Sequence, residues 1–170
     1  MNSFLFESPR LKFREWEISD ASWLKELNDD PNVLKYTGDR PFLTILEVED
    51  FIDNYDQYQN FGYGRWAVFL RENNVPIGWC GLRCNEEETI DIGFRFFQVS
   101  WNKGYATEAV IATLNYAFDE LKILEVVGRT SNANVASKRV LEKAGMKFWK
   151  EGEVHGLEDV QYYRMRNPYL

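Results

Sequence analysis

Apolar and polar positions change period several times along the chain, and each change marks an element. Leu11 and Phe13 alternate with charged neighbours from Arg10 to Glu15, the period-two pattern of a strand. Ser19 then stands where a cap would start a short helix running to Leu27. Thr44-Ile45-Leu46-Glu47 fits a capping box, after which Val48, Phe51, Ile52, Tyr55 and Tyr58 recur at helical spacing and predict one amphipathic helix. Arg65 to Arg71 and Val75 to Leu82 read as strands joined across Asn73-Asn74, and Thr89 to Phe97 as a third, so an antiparallel meander is predicted. Ala109, Val110, Thr113, Leu114, Ala117, Phe118 and Leu121 mark a long helix, and Leu124 to Thr130 a strand. Asn134 opens a helix with apolar positions Val135, Val140, Leu141 and Ala144, which Gly145 ends; Met146 to Lys150 and Val160 to Met165 supply the last strands. The pattern is α/β, with about seven strands and about four helices.

With 170 residues and neither a repeat nor a Pro/Gly-rich linker, one domain, residues 1–170, is expected. The first fifteen residues hold an early Pro and several charges, unlike a signal peptide, and no apolar run approaches the roughly 20 residues that span a bilayer. A cytoplasmic protein without a membrane partner is expected. A net charge of −7 argues against nucleic acid. Cys80 and Cys84 form a C-x3-C pair with no further Cys or nearby His, so free thiols rather than a metal site are expected. His155, the only histidine, falls in a loop-like stretch and reads as a surface residue rather than a base.

One junction carries chemistry. The strand-like run Thr89–Phe97 empties into WNKGYATEA, Trp101 to Ala109, and then into a helix. Such a turn leaves the backbone N–H groups of Asn102, Lys103, Gly104, Tyr105, Ala106 and Thr107 converging at the positive end of a helix dipole, a ready anion site. Gly104 is a lone glycine there, and neither the P-loop nor the G-x-G-x-x-G spacing is met, so a plain tight turn fits the junction too. One strand and one helix downstream lies NVASKRVLEKAGM, Asn134 to Met146.

Together these two segments, with RLKFREW near the start, resemble the GNAT superfamily of acyl-CoA-dependent N-acyltransferases. Within it they look like the branch that contains ribosomal-protein N-terminal acetyltransferases and spermidine acetyltransferases. The family's loop motif places Gln or Arg first, Gly fourth and Gly or Ala sixth; here Trp101, Gly104 and Ala106 hold those positions. The resemblance implies a mostly antiparallel sheet with splayed central strands and a single N-acetyltransferase domain. It implies that the 102–107 amides grip the pyrophosphate of acetyl-CoA, used as co-substrate with no metal. It also implies that the backbone of Phe96, Phe97 and Gln98 pairs with the pantetheine arm, and that Asn134 reaches the arm from the other wall. Asn is equally a favoured helix N-cap, and the two roles are compatible.

Acyl transfer to an amine requires a neutral nucleophile, a stabilised oxyanion and a hydrogen bond to the departing thiolate. By resemblance Asp91 holds the position where many relatives carry a Glu base; being shorter it would act through water, and the alternative is a solvated carboxylate beside Glu86, Glu87 and Glu88. Leu141 stands where many relatives place a Tyr acid, so Ser137 becomes the candidate donor to the thiolate, against a plain first-turn residue. An amide within Phe94 to Phe97 would hold the oxyanion.

From Glu15 to Asp56 twelve acidic residues face three basic ones, a local balance of −9 that leaves the rest of the chain at +2. In the family this region frames the acceptor. A cationic acceptor is therefore an expectation: a basic peptide N-terminus, a polyamine or an aminoglycoside, against helices with merely solvated acidic faces. A peptide α-amine, with a pKa of about 7.7 to 8, is easier to present neutral at pH 7 than a lysine-type amine near 10.4, by roughly 3 to 4 kcal/mol. An α-amino group of a protein or peptide is accordingly the preferred acceptor, with direct transfer in a ternary complex. The alternatives are a small-molecule N-acetyltransferase, a non-catalytic acyl-CoA-binding module, and a preference for acyl groups longer than acetyl. A monomer and a homodimer are both compatible with the sequence.

Overall fold

The computed structural model describes residues 3–154 and 156–170; His155 lies outside them. Eight strands form one sheet: β1 (Phe6–Glu7), β2 (Leu11–Arg14), β3 (Arg65–Leu70), β4 (Pro76–Cys84), β5 (Ile90–Phe96), β6 (Glu125–Ser131), β7 (Lys147–Val154) and β8 (Leu157–Arg166). Their order is β1-β2-β3-β4-β5-β6-β8-β7. All neighbours are antiparallel except β5 and β6. Six helices accompany it: α1 (Ala21–Asp29), α2 (Pro31–Leu34), α3 (Ile45–Asp53), α4 (Gln57–Phe61), α5 (Tyr105–Asp119) and α6 (Val135–Lys143).

Alternation along the strands sends side chains to two cores. On one face Trp66, Val68, Cys80, Leu82 and Ile92 bury against Val110, Leu114 and Ala117 of α5 and Leu141 of α6. On the other, Ala67, Phe69 and Trp79 meet Leu24 and Leu27 of α1 and Val48 and Ile52 of α3. The parallel pair β5–β6 is the one that needs a crossover, and α5 supplies it.

Several elements depart from the sequence expectation. The helix predicted from Val48 through Tyr58 ends at Asp53, because the Asn54 side chain takes the Asp50 carbonyl at 2.7 Å, and α4 begins at Gln57. Tyr55 and Tyr58 keep their apolar spacing but point their hydroxyls at the Arg65 backbone, fixing the start of β3. Thr44 does cap α3, accepting from the Glu47 N–H at 3.2 Å, whereas the Glu47 carboxylate returns to Leu43 rather than to Thr44. Asp20, not Ser19, organises the start of α1. Buried at 2% exposure, it accepts from both Arg14 guanidinium nitrogens at 2.8 and 2.9 Å, from the Glu17 N–H and from Trp23 Nε1. The short β1 and α2 carry too few residues to show a period.

Candidate active site

Strands β5 and β6 pair only at Asp91 with Val127 and Ile92 with Gly128. Beyond that point β5 continues to Phe96 on β4 and β6 to Ser131 on β8 without pairing to each other, and the sheet opens into a cleft of about 1100 Å³. Gly128 permits the split to close tightly at its base, since a Cβ there would lie 3.0 Å from Leu141 Cδ1. The Phe97 N–H donates to Ile77 O at 3.0 Å, so by antiparallel alternation residues 93, 95 and 97 turn their amides toward β4. Phe94 and Phe96 therefore face the open edge, and of their groups the Phe96 carbonyl accepts from Trp101 Nε1 at 2.9 Å.

The glycine loop closes one end of the cleft. Gly104, the N-cap of α5, has φ +80°, and Asn102 also lies in the left-handed region at φ +61°. No N–H from Asn102 to Thr107 donates to a described residue, so the first-turn donors of a 15-residue helix converge on open space. The loop is braced from behind. Arg10 donates to the Lys103 carbonyl at 2.9 Å, stacks over the Tyr105 ring and meets Glu108 at 2.6 Å. Glu108 also accepts from Ser8 Oγ and the Arg10 N–H. Burial pushes the Glu108 carboxyl up, but these hydrogen bonds together outweigh it and hold it below the usual carboxylate range. This brace has no periodicity to announce it. The two cationic and anionic partners stand 98 residues apart.

Across the cleft, Asn134 Oδ1 accepts from the Ser137 N–H at 3.1 Å, so Asn134 is the N-cap of α6, and its side-chain Nδ2 donates to no described residue. Asn134, Ser137, Asp91, Phe96, Asn102, Gly104, Tyr105, Ala106 and Thr107 all line the cleft. Phe97, Gln98 and Lys103 do not. Phe97 turns to Trp23 on the opposite core, Gln98 accepts from Asn32 at 3.3 Å, and Lys103 contributes its carbonyl to Arg10.

The floor of the cleft is a charge cluster that no spacing rule foretold. Asp91, 3% exposed, accepts on Oδ2 from Arg129 at 2.8 Å, Arg83 at 3.2 Å and Asn85 at 3.2 Å, with Arg65 at 3.9 Å from Oδ1. Arg129 is held further by Glu86, and Arg95 by Asn28 and Asp39. Trp79 lies beneath Arg65 and Arg95, with their guanidinium carbons 4.5 and 5.4 Å from its ring. The signal was available in principle: Arg65, Arg83, Asp91 and Arg95 occupy same-face positions of adjacent strands, but only the register shows that they meet. Among the described residues no group of three or more His, Cys, Asp or Glu side chains is placed to hold a metal ion.

A split mixed sheet with an amide-lined helix start at one end of the split and a crossover helix packed behind it makes a cleft with an anion-binding end. The acetyltransferase (GNAT) domain family matches residues 10–147, and the chain belongs to that family. It is 33% identical to the uncharacterized N-acetyltransferase YnaD of Bacillus subtilis over 160 residues, 91% of this chain and 92% of that one. The crystal structure of a GNAT-family acetyltransferase from Bacillus anthracis superposes with a TM-score of 0.79 at 32% identity, covering 95% of this chain and 97% of the other. A ribosomal L7/L12 alpha-N-protein acetyltransferase solved with coenzyme A shares the fold at TM-score 0.82 and 17% identity, covering 96% and 98%. The protein is an acetyl-CoA-dependent N-acetyltransferase. No helix of the structure is long and apolar enough to cross a membrane.

Proposed function

We propose that the acceptor is an α-amino group of a protein or a peptide, acetylated directly in a ternary complex with acetyl-CoA. The observation that carries this reading is the absence of an unengaged carboxylate in the described lining of the cleft. Asp39 is paired with Arg95 at 2.7 Å, and Asp91 with Arg129 at 2.8 Å. With no free base at hand, the acceptor must supply its own neutral fraction, and at pH 7 an α-amine does so far better than a lysine-type amine.

The 102–107 amides and the positive end of α5 suit the pyrophosphate, and the Phe94 and Phe96 edge with Asn134 Nδ2 suits the amide-bearing pantetheine arm. In the transfer, the neutral amine attacks the thioester carbonyl carbon, a C–N bond forms and the C–S bond breaks. Once the C–N bond has formed, the now acidic nitrogen gives up a proton to water, and the ion-paired Asp91, too weak a base to neutralise the free amine beforehand, would take it only in relay. The thiolate takes a proton through Ser137. Cleft-facing amides of Phe94 and Phe96 are the donors at hand for the oxyanion.

Acetyl-CoA with peptides bearing one free amine, either α or lysyl, tests the acceptor reading. Thiol release restricted to the free α-amine supports it, and release restricted to lysyl or polyamine acceptors defeats it. Coenzyme binding without acceptor-dependent thiol release would leave an acyl-CoA-binding module.

A further inference from the structure

The acidic residues that suggested a cationic acceptor are not in the cleft. Of the twelve between Glu15 and Asp56, Asp39 alone lines it, and Arg95 neutralises that one at 2.7 Å. The others are spent or solvated: Asp20 on Arg14, Asp29 on Lys25, Glu47 on Arg40, Asp30 on its own helix cap. The cleft floor is cationic instead, with Arg65, Arg83, Arg95 and Arg129 against Asp39 and Asp91.

These four arginines are unequally satisfied. Arg95 and Arg129 each bind two partners, yet the Arg65 guanidinium makes no hydrogen bond to any described residue, and its nearest carboxylate oxygen is 3.9 Å away. Arg83 spends one nitrogen on Asp91, and the Nε atoms of both Arg65 and Arg83 are buried without a partner. Burial, and after it the charge of Arg83, depress the Arg65 pKa from its usual value, the mark of a cation short of anions. A guanidinium carries five N–H donors in a fixed fork, and leaving them unpaired under a protein surface is costly. Trp79 holds the Arg65 plane in place from below at 4.5 Å.

The position is as telling as the deficit. A Cβ built on Gly93 would lie 3.0 Å from Arg65 Nη2, and Gly93 is the first residue of β5 past its last pairing with β6. The unpaired fork thus sits at the point where the cleft opens.

The geometry points to an acceptor that carries a carboxylate close to the amine it gives to the acetyl group, with Arg65 and Arg83 as its bidentate receptor. This rests on the acetyl-transfer reading above and narrows it. The two sources of that chemistry are a peptide terminus with an acidic side chain, which the amine argument favours, and a free amino acid, whose α-amine is more basic. Asp91 is then a positioning residue as well, keeping Arg83 and Arg129 from closing over the fork. Polyamines, cationic throughout, are poorly matched to this floor.

The test compares acceptors with and without the carboxylate, with rates expressed per neutral amine because amidation makes an amino acid's α-amine less basic: peptides beginning with Asp or Glu against their Asn or Gln counterparts, each L-amino acid against its carboxamide, and spermidine. Thiol release from acetyl-CoA is the readout. A carboxylate acceptor is expected to exceed its amide by roughly ten- to hundred-fold in kcat/KM, mostly through KM, as for a charged hydrogen-bonded pair. Arg65→Gln should narrow that gap to within a few fold, and Arg65→Lys should restore part of it, with coenzyme A affinity unchanged as the sign of an intact fold. Acidic peptides active without amino acids identify the first source, and the reverse identifies the second. Carboxamides turned over as well as carboxylates, a gap untouched by Arg65→Gln, or a preference for spermidine would each overturn the inference. Calorimetry of the same acceptors on the coenzyme A-loaded protein runs in parallel. If no amine releases thiol, the transferase reading falls, while selective carboxylate binding lost in Arg65→Gln still upholds the receptor, and its absence removes it.

Discussion

Gly104 concentrates the loop's function in a missing side chain. At φ +80° any L-residue is strained, and a Cβ would stand 3.3 Å from Arg10 Nη2, on the guanidinium that braces the loop. Gly104→Val should therefore weaken coenzyme A binding at least tenfold in a protein that still shows its native circular dichroism; calorimetry with coenzyme A checks this, and unchanged affinity would move the pyrophosphate elsewhere. Glu108 makes a second prediction, in pH. Its folded pKa is depressed below 4.5, so the stability it contributes is fully present above about 4.5 and fades as pH falls through the lower folded value. Glu108→Gln should lose about 1 to 2 kcal/mol in urea unfolding at pH 7, and the difference from wild type should shrink as pH drops below about 4.5. Gly104 was legible in the sequence because a strand, a glycine and a helix in that order imply orphan amides. Arg10 and Glu108 were not, because an ion pair joining residues 98 apart leaves no local pattern.

Among the elements, strong periods were readable and weak ones were not. The β3–β4–β5 meander, α5 and α6 each show enough turns of alternation or helical spacing to be predicted within a few residues. Helices α2, with four residues, and α4, with five, hold about one turn apiece, and their Tyr and Asn residues carry side-chain bonds that a hydrophobic pattern cannot express. The start of α1 shows what replaces propensity. Asp20 takes four hydrogen bonds from Arg14, Glu17 and Trp23, and so ties α1 to β2 through a buried ion pair. Asp20→Ala leaves the Arg14 guanidinium, 7% exposed, with the Glu15 carbonyl and the more distant Glu17 carboxylate at 3.7 Å in place of a bidentate partner. A loss of about 3 to 5 kcal/mol follows, visible as a fall of roughly 10 °C in melting temperature. A shift within 2 °C would show that α1 is held by its apolar face alone.

Over the whole molecule, the one parallel pairing decides where chemistry happens. Because β5 and β6 run the same way, α5 must cross between them. Its start lies beside the end of β5, and the two strands diverge within reach of its free amides. On the proposed reading, coenzyme enters from the α5 end of the split, and an acceptor from the face of α1 and α3, where the arginine floor lies. Two substrates meeting across one opening need no covalent enzyme intermediate, and the amine must arrive neutral. That requirement sets the pH dependence. At pH 7 a peptide α-amine with a pKa near 7.8 is roughly one-seventh neutral, and a lysine-type amine near 10.4 only about four in ten thousand. With an α-amine acceptor, kcat/KM should climb about tenfold per pH unit below 7 and level near pH 8. With a lysyl acceptor it should keep climbing toward pH 10. Initial rates of thiol release from pH 6 to 10, with subsaturating acceptor and saturating acetyl-CoA, distinguish the two. A plateau already reached below pH 7 would mean that a group in the cleft removes the proton before attack. Asp91→Asn would then be expected to move that plateau, and an unmoved one would place the base outside the Asp91 cluster.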